Sequence, residues 1–261
     1  MTRSGTSPEM RYFGREGMAA RYAASRPPVH AEVLRAALPE DLAPRAALDA
    51  GCGTGHSTAP LAAWSDAVFG CDASTVMLAQ ACSRVPTARF AAARAEALPF
   101  AAGCFELVTT CMAFHWFDQE RFLAEAARVL EPGGLLVAYN LVFPGRLVGD
   151  AAFSRWFGGV YLERFPTPDR DRTSLGRRLS KGGGMLCFER RVDVELQVDF
   201  TARGLRDYLT SQSNVEAALR AGARIEEVDA WLDGELAAFF DGAAARAFAY
   251  EGRAELARRV S

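Results

Sequence analysis

The chain has 261 residues, 50% of them hydrophobic, and a formal net charge of −2. That length suits one domain with an ample core. The near-neutral charge exerts no pull toward nucleic acid or a membrane surface, and no apolar run reaches the roughly 18 residues that would cross a bilayer.

Residues 1 to 10 read as disordered, and Met1 to Glu9 lacks the apolar stretch of a signal peptide, which predicts a cytoplasmic protein. From Arg11 to Leu38 the spacing of Met18, Tyr22, Val29, Val33, Leu34 and Ala37 is helical, interrupted at Pro27-Pro28. From 40 to 140 strand and helix patterns alternate through five strands, which predicts a parallel sheet with helices on both faces. The first strand, Arg45 to Leu48, stops at Asp49 and passes Gly51, Gly53 and Gly55 into a helical pattern at Ser57 to Trp64. Such glycines let the backbone turn tightly against a ligand, and a following helix presents free N–H groups. A dinucleotide fingerprint would need its third glycine at position 56, where His56 stands, so a nicotinamide cofactor is disfavoured.

A second strand, Ala67 to Cys71, ends at Asp72, where a carboxylate can hold a ribose diol. Then come Ala73-Ser74-Thr75-Val76-Met77-Leu78 and, further on, Ala95-Glu96-Ala97-Leu98-Pro99-Phe100. The fourth strand, Phe105 to Cys111, runs into Phe114-His115-Trp116-Phe117-Asp118. The fifth, Gly133 to Tyr139, follows a turn at Glu131-Pro132-Gly133-Gly134.

Residues 141–187 lose this rhythm. They hold an aromatic cluster (Phe153, Trp156, Phe157, Tyr161, Phe165) and Gly182-Gly183-Gly184, and long irregular segments in compact domains often cover ligands. Alternation returns at Phe188 to Phe200, a strand with one wet face and hence an antiparallel one. Helical patterns follow at Ala202–Thr210, Asn214–Ala221 and Arg224–Phe240, with a last strand at Ala245 to Glu251 or a little beyond. Neither an internal repeat nor a second domain is visible. The six cysteines form no Cys-x-x-Cys pair, so no metal site is expected. A single lysine, Lys181, among many arginines suggests a GC-rich bacterial genome.

The run Asp49-x-Gly51-x-Gly53-x-Gly55 resembles the first motif of class I S-adenosylmethionine-dependent methyltransferases. The segments at Asp72, at Ala95-Glu96-x-Leu98-Pro99-Phe100, at His115-Trp116-Phe117-Asp118 and at Pro132-Gly133-Gly134 resemble those of its type 11 branch, which includes ubiquinone-biosynthesis-type and trans-aconitate-type enzymes. The five matches cover residues 45–140. The resemblance implies a Rossmann-like, doubly wound α/β domain over residues 1–261. Its sheet would be mostly parallel and seven-stranded, with an antiparallel strand near the C-terminus. An N-terminal helical lid (1–38), a cofactor core (40–140), a substrate insert (141–187) and C-terminal strands and helices (188–261) would divide it. S-adenosylmethionine is then the implied cofactor, held by Tyr22, Arg26, Asp49, Gly51, Gly53, Asp72, Ala73, Met77, Ala95, Glu96, Cys111 and His115.

The residues themselves leave alternatives open. Read alone, Met77 fits a helix-core residue better than an adenine contact, and Tyr22 and Arg26 also read as surface-helix residues. Arg94 stands where many relatives carry an aspartate that accepts from adenine, and arginine cannot accept, which leaves that role to the backbone around Ala95 or to Glu96. His115, just past the fourth strand, is the candidate catalytic base or a cofactor-side residue. Phe114, Trp116, Trp156 and Tyr161 are acceptor-pocket candidates or core. Between Arg164 and Arg191, eight basic residues face three acidic ones, which suits an anionic acceptor or a solvated loop. The implied reaction is methyl transfer to a small organic molecule, foremost at a carboxylate or hydroxyl oxygen. N- or C-methylation, or a cofactor-binding protein that no longer transfers methyl, are the alternatives. Neither nucleic acid nor membrane is an expected partner, and either a monomer or a homodimer is compatible.

Overall fold

The computed structural model describes residues 16–181 and 184–260; the expectation of disorder over residues 1–10 lies outside them. Among the described residues two helices come first, α1 (Glu16–Ser25) and α2 (His30–Ala37), divided where Pro27-Pro28 interrupts the pattern. Val33, Leu34 and Ala37 form the buried stripe of α2.

Five parallel strands follow: β1 (Ala46–Ala50), β2 (Ala67–Asp72), β3 (Arg89–Ala92), β4 (Phe105–Cys111) and β5 (Leu130–Val142). Between them lie α3 (Thr75–Arg84), capped by the Ser74 hydroxyl on the Met77 amide, and α4 (Gln119–Val129), capped by Asp118 on Arg121. The insert holds α5 (Ala151–Trp156), a π-helical turn at Phe157–Tyr161 and α6 (Leu175–Leu179). The chain then forms β6 (Leu186–Phe200), α7 (Ala202–Thr210), α8 (Ser213–Arg220), α9 (Ile225–Phe240) and β7 (Arg246–Arg259).

All seven strands form one sheet in the order β3-β2-β1-β4-β5-β7-β6. β7 runs against both β5 and β6, so the alternating β6 is antiparallel to its neighbour. β1 and β4 are buried along nearly their whole length because helices cover both faces of the sheet. Successive residues serve opposite layers. Ala47, Leu107, Val137 and Tyr139 join one core, and Leu48, Val108, Leu136 and Ala138 the other. The chain leaves β1 toward β2 on one side and returns through β4 on the other. That reversal opens a crevice at the carboxyl ends of these strands.

Three expectations change. The helix expected at Ser57–Trp64 is a five-residue 3₁₀ turn, Ala59–Ala63, with Pro60 at its start. The Ser57 and Thr58 hydroxyls are drawn down onto Asp49 at 2.6 and 2.7 Å, and Pro60 has no amide for an α-helical bond. The Glu131–Gly134 turn does not precede the fifth strand but sits inside it. Phe105 pairs with Leu130 and Leu107 with Leu135, so the turn is absorbed as a bulge with Gly133 at φ 81°. β7 is also longer than its periodicity suggested. It is buried on both sides between β5 and β6, and burial there erases the alternation that marks a strand end.

Candidate active site

The loop after β1 is shaped by close approaches. Gly51 has φ 71°, and a Cβ there would meet the Ala113 Cβ at 2.6 Å and the Phe117 Cζ at 2.8 Å. Its amide and that of Cys52 both donate to the Cys71 carbonyl, at 2.8 and 3.0 Å. One turn on, the Gly53 amide donates to Asp72 Oδ2 at 2.9 Å while the Ser74 amide donates to Oδ1 at 2.8 Å. Burial raises the Asp72 pKa, and the two amides oppose the rise.

Asp49 has a different task. It is fully buried and accepts from the hydroxyls of Ser57, Thr58 and Thr109, the last at 3.2 Å. Burial pushes its pKa up to about 6 against those bonds. The carboxylate ties the loop to the sheet from beneath.

Above the loop lies a small cavity of about 50 Å³, lined by Tyr22, Arg26, His30, Gly51, Gly53, His56, Cys111, Met112, Leu141 and Tyr250 among others. The Arg26 guanidinium stacks on Tyr22 at 3.9 Å and on Tyr208 at 5.0 Å, and donates to the Ser211 carbonyl at 3.1 Å. Tyr208 and Tyr250 share a hydrogen bond of 2.9 Å. Burial and nearby arginines keep His30 and His56 neutral, with pKa values lowered to about 4 and about 3. His30 Nδ1 lies 3.1 Å from the Tyr139 hydroxyl.

A second cavity, of about 490 Å³, opens beyond the ends of β4 and β5. Met112 and Leu141 line both cavities and form a common wall. Met112 holds the left-handed conformation, φ 54°, and its Sδ accepts the Leu141 amide at 3.1 Å. A non-glycine residue in that region stores strain that the surroundings must impose. Phe114, His115 and Tyr161 line the larger cavity. His115 Nε2 receives Arg170 Nη1 at 2.9 Å. Burial, with Arg170 and Arg172 close by, lowers the His115 pKa to about 3. Among the described residues, no His, Cys, Asp or Glu cluster could hold a metal ion, and no helix is long and apolar enough to cross a membrane.

A family profile described as a methyltransferase domain matches residues 48–138. Residues 48–138 are thus similar to a methyltransferase domain. The chain is 38% identical to a demethylmenaquinone methyltransferase of Beutenbergia cavernae over 122 residues, 46% of this chain and 49% of that one. It is 40% identical over 96 residues to a malonyl-[acyl-carrier protein] O-methyltransferase of Herminiimonas arsenicoxydans, 36% of each chain. The chain thus spans about half or less of these relatives' length. A solved structure from Anaeromyxobacter dehalogenans, assigned as a type II methyltransferase, superposes with a TM-score of 0.65 at 24% identity, over 90% of this chain and 96% of that one. That likeness extends the fold beyond the matched segment.

The fold brings Tyr22, Arg26, Gly51, Gly53 and Cys111 onto one cavity. Asp72 meets them through the Gly53 amide, and Ala73 continues from it. Met77 packs on Met18 and Ala19 of α1, with its Cε against Gly53. Ala95 is buried, and the Glu96 carboxylate is already engaged by the Asp118 amide at 2.9 Å and by Arg94 at 3.3 Å.

Two acceptor-pocket candidates fall elsewhere. Trp116 is buried and stacks obliquely with His115 at 4.9 Å, outside the cavity lining. The Trp156 indole donates to Glu235 Oε2 at 2.6 Å within the aromatic core. Helical and loop aromatics look alike in sequence, and only packing separates core from lining. Met112, Asn140, Tyr208, Gln212 and Tyr250 also line the two cavities. No motif pointed to them, because they are distant in sequence and carry no characteristic spacing.

Proposed function

We propose that the protein transfers the methyl group of S-adenosylmethionine to a small organic molecule held in the larger cavity, forming an O-methyl product, foremost from a carboxylate. The observation that carries this reading is the shared wall. A loop with the glycine and carboxylate pattern of the methyltransferase domain lines or adjoins one cavity, and an aromatic and polar cavity meets it at Met112 and Leu141.

The local chemistry fits the cofactor. Oxygens of the Asp72 carboxylate have lone pairs beyond those taken by the Gly53 and Ser74 amides, so the ribose hydroxyls can donate to them. Gly51 and Gly53 both line the smaller cavity with positive φ, a backbone form that glycine adopts without strain. Tyr22 and Tyr250 bring aromatic rings to this cavity, and such rings suit a sulfonium cation. S-adenosylmethionine supplies an electrophilic methyl group: the acceptor oxygen forms the O–C bond as the S–C bond breaks, and the electron pair leaves with sulfur as S-adenosylhomocysteine. The protein aligns the partners and excludes water.

His115 is a poor proton acceptor at neutral pH because burial and two arginines hold its pKa at about 3. An acceptor that is already ionised needs no base, which favours a carboxylate over a hydroxyl. The relative named as an O-methyltransferase supports the same direction. Calorimetric titration with S-adenosylhomocysteine, with NADH as control, tests the cofactor. Binding of the former alone is expected. Binding of NADH, or of neither, would remove the reading.

A further inference from the structure

We infer that His115 is a positioning residue for Arg170, and that Arg170 with Arg172 forms the anion-binding end of the larger cavity, which takes an amphiphilic carboxylate. The inference deepens the methyltransferase reading by naming the acceptor class, but its binding claim can be tested without catalysis.

Three observations carry it. First, Arg170 is fixed from two sides. Its Nη1 donates to His115 Nε2 at 2.9 Å, and its guanidinium carbon lies 5.4 Å from the centre of the Trp116 ring. An arginine can only donate, so His115 must accept at Nε2 and carry its own proton on Nδ1. A neutral imidazole orients the guanidinium and leaves its charge in place, whereas a carboxylate in that position would have cancelled it.

Second, the acidic side chains along this cavity are committed elsewhere. Asp171 accepts from Arg178 at 2.6 Å and from the Thr173 amide at 2.8 Å. Glu255 accepts the Gly176 amide at 3.1 Å. Four of the other six basic residues between Arg164 and Arg191 have partners of their own. Arg178 is held by Asp171 and Gln119, Arg190 by the Ala37 carbonyl, Arg191 by Asp193, and Arg164 covers Trp231. Of the eight basic residues between Arg164 and Arg191, only Arg170 and Arg172 line the cavity. The charge excess visible in the sequence therefore acts at two positions.

Third, the remaining wall offers an apolar face beside polar groups such as Asn140, Gln212 and Asn214. Leu141, Phe143, Phe157, Leu162 and Leu209 line it within the 490 Å³ volume. An arginine fork matches a carboxylate geometrically, and the apolar wall matches a hydrocarbon body beside it.

The test uses the full chain saturated with S-adenosylhomocysteine, with octanoate and 1-octanol as probes in calorimetric titration. Octanoate should bind about tenfold or more tightly than octanol, in keeping with one charge-assisted bidentate contact. R170Q should bring the two within about twofold, and R170K should lose much of the preference, because an ammonium offers no planar fork. H115L should weaken octanoate binding while H115Q, which keeps an acceptor, restores part of it. A merely structural role for His115 would make those two variants alike. R177Q, at an exposed position outside the lining, should change nothing. Circular dichroism and retained S-adenosylhomocysteine binding identify variants that fold. Equal affinity for the two probes, failure of octanoate to bind, or a preference that survives R170Q would overturn the inference. With S-adenosylhomocysteine still bound, those outcomes would leave the methyltransferase reading intact; loss of that binding in the unmodified protein would sink the reading itself.

Discussion

The Gly53 amide and the Asp72 carboxylate are joined at 2.9 Å, so the glycine loop and the end of β2 behave as one hydrogen-bonded unit. Asp72→Ala removes both the acceptor of that amide and the proposed acceptor of the ribose hydroxyls. Bonds to a charged group contribute about 1.5–3 kcal/mol each, so S-adenosylhomocysteine affinity should fall about 100-fold or more. Asp72→Asn, which keeps one acceptor oxygen, should fall less. Unchanged affinity in the alanine variant by calorimetry would refute the assignment.

Gly51 tests the loop geometry. Alanine there combines a φ of 71° with a Cβ placed 2.6 Å from that of Ala113. Left-handed backbone and overpacking together should destabilise the fold by roughly 2–5 kcal/mol and weaken cofactor binding. A melting temperature equal to that of the unmodified protein would show that the loop can relax at little cost.

Trp156 separates core from pocket. Trp156→Phe keeps most of the ring packing but leaves Glu235 without its indole donor. Stability should drop by about 1–3 kcal/mol, with S-adenosylhomocysteine and octanoate affinities unchanged. A selective loss of octanoate binding would return Trp156 to the cavity wall.

Stability should fall on mild acidification. His30, His56 and His115 have folded pKa values of about 4, about 3 and about 3, below the ordinary 6.5. Below pH 6.5 the unfolded chain binds protons that the folded chain refuses, so stability is lost as pH drops toward those values. The raised pKa values of Asp49, about 6, and Asp72 act in the opposite sense, because the folded chain takes up those protons first. Three large histidine shifts outweigh them between pH 6.5 and 4. Thermal melts at pH 7 and pH 5 should show the drop, and His115→Asn should shrink it. A melting temperature that rises on acidification would contradict the buried, neutral state of these rings.

Local chemistry made much of the domain legible. The glycine spacing, the acidic residue closing β2, the apolar run of β1 and the wet alternation of β6 are short-range patterns, and each lies where the sequence suggested. The helices Ala202–Thr210 and Ile225–Phe240 were equally visible, because amphipathic periodicity is written along the chain itself. The 3₁₀ turn after the glycine loop was not, since Asp49 competes for the Ser57 and Thr58 hydroxyls only once the fold buries it.

Tertiary structure alone decided which candidates share a cavity. Arg170 and His115 are 55 residues apart, yet they meet at 2.9 Å because the insert folds back over the end of β4. That contact, together with burial, turned the residue with the most suitable unperturbed pKa for a base into a neutral acceptor. A sequence carries the intrinsic acidity of each group and the periodicity of each segment. Desolvation and the field of neighbouring charges exist only after distant segments pack, and those two effects set what the side chains of this site can do.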